Sequence, residues 1–309
     1  MRIFGPVPSR RLGKSLGINN VRPKSCSYSC VYCQLGRTEH MQIKREKFYN
    51  LKEFEKELDK KLKELDENGE KLDYVTFVAD GEPTLDKNLG KAINIIKNYG
   101  LNTAVISNSS LVNIKKVREE LMKADWVSLN CDAFSKEVWK KVDRPHGKLD
   151  LTNIQKGIKK FSEEYNGEFV TETMLVKDIN DKKEELEKIA KFIASLNTDA
   201  SYVAIPTRPP AEKGVKSPNP EKINMAVQIF KDKGIKAEYL IGYEGNEFSS
   251  TGDLKTDLLN ITSVHPLKEE AVDELINKCN GNWKEVEELI KNDNIVETEY
   301  NDEKYYLRK

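Results

Sequence analysis

The chain has 309 residues, with 51 Lys and Arg against 51 Asp and Glu, so its formal net charge at neutral pH is +0. That balance gives no global field to favour nucleic acid or an anionic membrane, and no apolar run is long enough to span a bilayer. The N-terminus MRIFGPVPSRR lacks an apolar core of signal-peptide length, so the five cysteines are expected in a reducing, cytoplasmic setting where disulfides do not persist.

From residue 51 the sequence alternates between two periods. Leu51, Phe54, Leu58, Leu62 and Leu65 recur at helical spacing and Gly69 closes the segment. Strands are then predicted at YVTFVAD, TAVISN, WVSLNCD, EFVTETMLV, ASYVAIP and IKAEYLIG. Helices fall between them at LGKAINIIKNYG, VNIKKVREELMKA, LTNIQKGIKKFSEEY, KKEELEKIAKFIASL and PEKINMAVQIFKDKG. Six such units predict an α/β fold, a partial (β/α)6 TIM-like barrel over residues 1–245 with right-handed crossovers. Active residues of such a barrel gather at the C-terminal ends of its strands. The Gly/Ser/Asp-rich run GYEGNEFSSTGDLKTDLLNIT breaks the pattern, and 246–264 reads as a linker. Two helices, HPLKEEAVDELINKCNG and NWKEVEELIKND, and a hairpin turning at Asn301, Asp302 and Glu303 then predict a small winged-helix-like domain over 265–309. Its second helix carries three glutamates and two lysines, a poor surface for a phosphate backbone. A docking element, a lid or a polypeptide recogniser is expected instead.

The stretch CSYSCVYC places Cys26, Cys30 and Cys33 within eight residues, while Cys131 and Cys279 lie far away. Clustered thiolates bind soft metal. Structural zinc calls for four ligands, typically two CxxC pairs. A four-iron cluster held by three thiolates leaves one iron open for a ligand. Spacing and sequence context together favour iron–sulfur. A zinc-stabilised nucleic-acid-binding or scaffold protein is the non-catalytic alternative.

CSYSCVYC, with Tyr32 before the third cysteine, resembles the CxxxCxxC signature of the radical S-adenosylmethionine (SAM) enzymes. FVADGEPTL, ending the next predicted strand, resembles the Gly-Glu motif that holds the methionine amino group in that family. FGPVPSRRLGKSLGINN, CVYCQLGRT, DGEPTL, VDRPHG, PTRPPAE and the tail from TSVHP further resemble the branch of wyosine-type tRNA synthetase relatives. The additional N-terminal cysteines of the wyosine-forming enzymes are missing here. The resemblance implies one [4Fe–4S] cluster on Cys26, Cys30 and Cys33, with SAM on the open iron. It also implies an oxidoreductase-type enzyme that cleaves SAM to a 5′-deoxyadenosyl radical, fed by a reductant such as ferredoxin or flavodoxin. An RNA nucleoside, in tRNA, is the expected substrate; a peptide, protein or small metabolite is the alternative.

The same resemblance assigns SAM contacts to Tyr32, Gly81, Glu82, Ser107, Asn108, Pro206 and Thr207. A capping carboxylate is the plain reading of Glu82, and a polar turn that of Ser107 and Asn108. Ser128, Asn130 and Asp132 share one face of their strand by alternation, as a polar ligand would require. Glu172 shares a face with Met174, where substrate contact and core packing weigh equally. Arg208 is a candidate grip for phosphate or carboxylate, against an ion pair with Glu212. Arg10, Arg11 and Lys14, with Arg22 and Lys24, form a local basic stretch, to be weighed as RNA contact or as solvated surface.

Overall fold

The computed structural model describes residues 2–241, 252–262, 266–300 and 302–309. Most of the expected linker and the turn residue Asn301 therefore lie outside the described residues. Strands β1 (Arg2–Ser9) and β2 (Gly13–Asn19) pair antiparallel, and the two-residue strands β3 (Ser25–Cys26) and β4 (His40–Met41) pair parallel. Helix and strand then alternate through α1 (Leu51–Glu67), β5 (Tyr74–Phe77), α2 (Leu89–Asn98), β6 (Thr103–Ser107), α3 (Lys115–Leu121) and β7 (Trp126–Asn130). The series continues with α4 (Lys136–Val142), α5 (Leu151–Glu164), β8 (Glu168–Met174), α6 (Lys183–Ile193), β9 (Ala200–Ala204), α7 (Pro220–Asp232) and β10 (Ala237–Leu240).

One sheet runs in the order β1-β2-β5-β6-β7-β8-β9-β10, parallel from β2 onward. The six predicted strands are all present. The β1–β2 pair is an addition that the sequence pattern did not announce. Arg10, in the β1–β2 turn, donates from Nη1 to the Leu240 carbonyl at 3.0 Å, so the two ends of the sheet curve toward each other. Gly17 permits that curvature at β2, because a Cβ there would meet the Phe4 ring at 2.1 Å.

Strand alternation sorts the side chains. Leu16, Ile18, Val75, Phe77, Val105, Val127, Leu129 and Phe169 face outward and pack on Phe54, Leu58, Ile93, Ile158, Phe161 and Ile189 of the helices. Each such burial contributes roughly 1.5–3 kcal/mol. Inside the curve, Leu12, Ala104, Trp126, Val170 and Ala200 form an apolar floor. Side-chain caps fix where helices start: the Asn50 side chain accepts from Lys52 N in α1, and Asp150 from Asn153 N in α5.

Helices depart from expectation in three places. The helix expected over VNIKKVREELMKA begins only at Lys115, after tight turns over 109–114. Helix α4 was not expected at all. Helix α8 (Leu254–Thr262) occupies part of the expected linker, with Leu254, Leu258 and Ile261 buried on one side. Beyond it lie β11 (Leu267–Lys268), α9 (Glu269–Lys278), α10 (Trp283–Lys291), β12 (Ile295–Tyr300) and β13 (Glu303–Arg308), with a sheet in the order β11-β13-β12. Leu254, Leu258, Leu267, Val272, Leu275, Val286 and Ile295 form a second core, against which Val7 of β1 packs. No helix among the described residues is long and apolar enough to cross a membrane.

Candidate active site

The strand ends open into a cavity of about 330 Å³, lined by all three clustered cysteines and by residues from β1, β2 and β5 to β10. The cysteine loop is clamped by backbone bonds to the VDRPHG segment. Ser29 N donates to the Asp143 and Arg144 carbonyls (3.0 and 3.2 Å), Val31 N to Val142 O (2.9 Å) and His146 N to Ser27 O (2.9 Å). A turn with Cys33 N donating to Cys30 O at 3.1 Å folds the last two cysteines toward each other.

Gly81 joins this loop to the Asp-Gly-Glu turn. It bridges Ser25, adopts φ +146°, and its absent Cβ would lie 1.9 Å from the Ser25 carbonyl oxygen. Glu82 N donates to that same oxygen at 3.1 Å. The Glu82 carboxylate is 1% exposed and fills the capping role. Its Oε1 accepts from Thr84 N, Thr84 Oγ1 and Ser107 Oγ (2.9, 2.5 and 2.8 Å), and its Oε2 from Asn108 N at 2.8 Å. Burial raises its pKa, while these donors pull it back down. Asn108 turns the other way, donating from Nδ2 to Cys26 Sγ at 3.4 Å and to Ser27 Oγ at 3.1 Å. Glu82, Ser107 and Asn108 are thus one hydrogen-bonded unit tied to the first cysteine.

The remaining predicted residues divide. Asn130 lines the cavity and donates to the Tyr32 hydroxyl at 3.4 Å, while its Oδ1 is buried with no partner. Tyr32 donates to Asp132 Oδ2. Asp132 does not line the cavity; its Oδ1 accepts from Met174 N at 2.7 Å, so it locks the ends of β7 and β8 together. Ser128 also lies off the cavity wall, fully buried beneath Arg11. Pro206 and Thr207 line the rim, and their carbonyls accept from the tail hydroxyls of Tyr300 (3.2 Å) and Tyr305 (3.0 Å). Arg208 does not pair with Glu212; its Nη1 donates to Gln34 Oε1 at 2.7 Å. Glu212 is taken by Arg37 and Arg144.

The basic N-terminal stretch is not one surface, since its side chains point to different sides of the fold. Arg11 points into the barrel, where Nη1 donates to Glu172 Oε2 at 2.5 Å and the guanidinium lies 5.4 Å from the Trp126 ring and 5.6 Å from the Tyr202 ring. Both partners are nearly buried, with side chains 11% and 12% exposed. Glu172 therefore meets an arginine and the cavity together. Lys14 turns outward to Glu70.

Sequence reasoning missed Phe4 and Gly17 in the wall and Asp143 beside Cys30, whose Sγ lies 3.4 Å from Asp143 Oδ1. The sequence signal for Asp143 is its place in the family-like segment VDRPHG. Asp143 is held well above the usual carboxylate range by burial and by its neighbour Asp132. Of the other cysteines, Cys131 is buried in the main core and Cys279 packs against the tail core.

A strand-end cavity ringed by three thiols and an Asp-Gly-Glu turn defines a class, and the chain belongs to the radical SAM superfamily, whose family model matches residues 21–193. The more particular family is that of the UPF0026 proteins, to which the chain also belongs. It is 41% identical over 307 residues to a UPF0026 protein of Methanocaldococcus jannaschii, covering 99% of this chain and 95% of that one. It is 24% identical over 220 residues to a probable dual-specificity RNA methyltransferase of Endomicrobium trichonymphae, covering 68% and 60%. The fold is similar to that of a radical SAM methyltransferase from Sphaerobacter thermophilus, with a TM-score of 0.58 at 16% identity over 74% of this chain and 66% of that one.

Membership implies a [4Fe–4S] cluster and SAM, and the thiols present suit them. Burial pushes the Cys26 thiol up to about 12 and the Cys30 thiol well above its ordinary value. The charge of Cys33 raises both as well. Such thiols become thiolates when metal charge offsets the burial. Among the described residues no three His, Cys, Asp or Glu side chains converge on one point that would hold a single ion. A cubane places each thiolate on a different iron and needs no such point.

Proposed function

We propose that this chain is a radical SAM enzyme acting on an RNA nucleoside, with tRNA as the substrate class. The observation that carries the reading is the convergence on one cavity of Cys26, Cys30 and Cys33, the Gly81–Glu82 turn, Asn108 and Asn130. The similarity to an RNA methyltransferase supports the substrate class, as do the segments resembling wyosine-type enzymes.

In this reading Cys26, Cys30 and Cys33 would hold the cluster, and the cavity beside them, lined by β5 to β9, would take SAM. Bound together, the two supply one-electron cleavage of SAM to methionine and a 5′-deoxyadenosyl radical. The residues of the chain do the rest. Gly81 brings the Asp-Gly-Glu backbone against the cysteine loop, and Glu82, held by four donors, keeps that edge rigid. Asn108 directs an N–H at the Cys26 sulfur, the kind of bond that tunes a cluster. Asn130 Oδ1 has acceptor capacity that a ribose hydroxyl or amino group would fill. The apolar floor around Trp126 and Leu12, capped by the Arg11–Glu172 pair, shuts water out from below.

The reading is tested by reconstituting the chain anaerobically, reducing it with dithionite, and following 5′-deoxyadenosine with and without tRNA lacking modifications. Release of 5′-deoxyadenosine with a new nucleoside in the digested tRNA is the expected result. Release without any change in tRNA, but with change in an added peptide, moves the substrate to the polypeptide class.

A further inference from the structure

Beside the cysteine loop lies a second, open cleft of about 550 Å³, lined by Lys140, Lys141, Arg144, Lys177 and Lys213 and by a single carboxylate, Glu212. From it we infer that this flank is the RNA track, the surface on which phosphates next to the reacting nucleoside are held. The inference rests on the RNA reading above.

Three observations support it. First, the charge there is uncompensated. Lys14, Lys24, Lys97 and Lys222, like many lysines of the chain, pair with a carboxylate. Lys140, Lys141, Lys177 and Lys213 are exposed and have no carboxylate within 4.0 Å among the described residues. Glu212 is itself neutralised by Arg37 Nε at 2.8 Å and Arg144 Nη1 at 2.5 Å, and both guanidiniums hold its pKa below the ordinary value. In a chain of zero net charge, five cations around one neutralised carboxylate give this cleft a local excess of positive charge.

Second, the cleft adjoins the active cavity through a bridge of ion pairs. Arg37 lines the cavity, Arg144 lines the cleft, and Glu212 joins them. A polymer with one unit in the cavity leaves over this rim and passes along α4 and the 212–215 loop. Third, the cleft offers little to a protein. Val31, Val176 and Val215 are buried, and no exposed aromatic side chain lines it. Protein interfaces are anchored by aromatic and other large apolar groups, whereas lysine and arginine suit phosphate. Global neutrality therefore coexists with a locally cationic cleft.

The test uses the full chain, reconstituted anaerobically, with fluorescein-labelled bulk tRNA as the probe and anisotropy as the readout over a series of salt concentrations. The variants are Lys140→Glu with Lys141→Glu, and Lys177→Glu with Lys213→Glu. The control pair, Lys52→Glu with Lys56→Glu on α1, makes the same change of charge elsewhere. Each flank pair is expected to weaken binding roughly ten-fold or more at 0.1 M salt and to reduce the salt slope by about 1 to 2, the loss of one or two phosphate contacts. The control pair should change neither. Glutamine at the same four positions, with circular dichroism of each variant, separates lost contact from misfolding. Equal tRNA binding by wild type and flank variants overturns the assignment of this surface and leaves the RNA reading intact. Failure of the wild type to bind tRNA overturns both. Retained tRNA binding together with slower reduction by a reduced flavodoxin gives the surface to the electron donor and overturns the proposal.

Discussion

Replacing Gly81 by alanine probes the joint between the cysteine loop and the Asp-Gly-Glu turn. The new Cβ would lie 1.9 Å from the Ser25 carbonyl oxygen and 2.7 Å from its carbon, both backbone atoms that cannot rotate aside. The φ of +146° adds strain that a glycine escapes. A sparsely populated backbone conformation costs about 1–3 kcal/mol, and overpacking costs about as much again. The chain relieves the clash by parting the two segments, which also loses the Glu82 N–H bond to Ser25, about 1 kcal/mol. A total near 5 kcal/mol corresponds to a fall in melting temperature of about 10–20 °C. Thermal unfolding followed by circular dichroism measures this, and calorimetry on anaerobically reconstituted protein should show SAM binding at least about ten-fold weaker. Gly100→Ala is the control, because its φ is also positive (+74°) but nothing lies within 4 Å of the added carbon. Wild-type melting and affinity in Gly81→Ala, or equal losses in both variants, would refute the reasoning.

Other expected outcomes follow from the same geometry. Arg11→Met strips the nearly buried Glu172 carboxylate of its partner, so urea unfolding should show a loss of about 3–5 kcal/mol; adding Glu172→Met should restore most of it. Asn108→Ala removes the donor to Cys26 Sγ, and the cluster should bleach faster under a chelator, as followed by absorbance. Burial raises Asp86 from 3.8 to about 6. Its neutral form is favoured on folding, so its stabilising contribution is full below pH 3.8 and lost as pH rises through about 6. Asp86→Asn should flatten that part of the stability profile, a change of order 3 kcal/mol between the two limits by urea titration. Tyr300→Phe with Tyr305→Phe frees the Pro206 and Thr207 carbonyls, and hydrogen exchange of the rim and hairpin should rise, each bond being worth about 1 kcal/mol.

The six barrel strands were legible because each is a short apolar run bounded by a polar or glycine-containing turn. The β1–β2 pair was not, because Pro6, Pro8, Gly13 and Gly17 interrupt its pattern and its partner strand β5 lies some sixty residues away. Helix α8 hid behind the Gly-Ser-rich run, although Leu254, Leu258 and Ile261 keep helical spacing. Local motifs carried Cys26, Cys30, Cys33 and the Gly81–Glu82 turn. Contacts between distant segments had no local sign. Arg11 looks like part of a solvated basic run until Glu172, 161 residues on, is seen to receive it. Asp132 shares a strand face with Ser128 and Asn130 by parity, and nothing local announces that its Oδ1 accepts from Met174 N. The uncompensated lysines of the flank are scattered over α4 and two loops, so no charge run announced them.

The central claim is an incomplete thiolate cage that leaves one iron for SAM. Its most direct test combines metal analysis and 5′-deoxyadenosine assay on anaerobically reconstituted wild type and on Cys26→Ala, Cys30→Ala and Cys33→Ala. About four irons per wild-type chain, reductive release of 5′-deoxyadenosine, and loss of that release in every variant are expected. One tightly held zinc ion in place of the cluster, or undiminished 5′-deoxyadenosine from the variants, would contradict it.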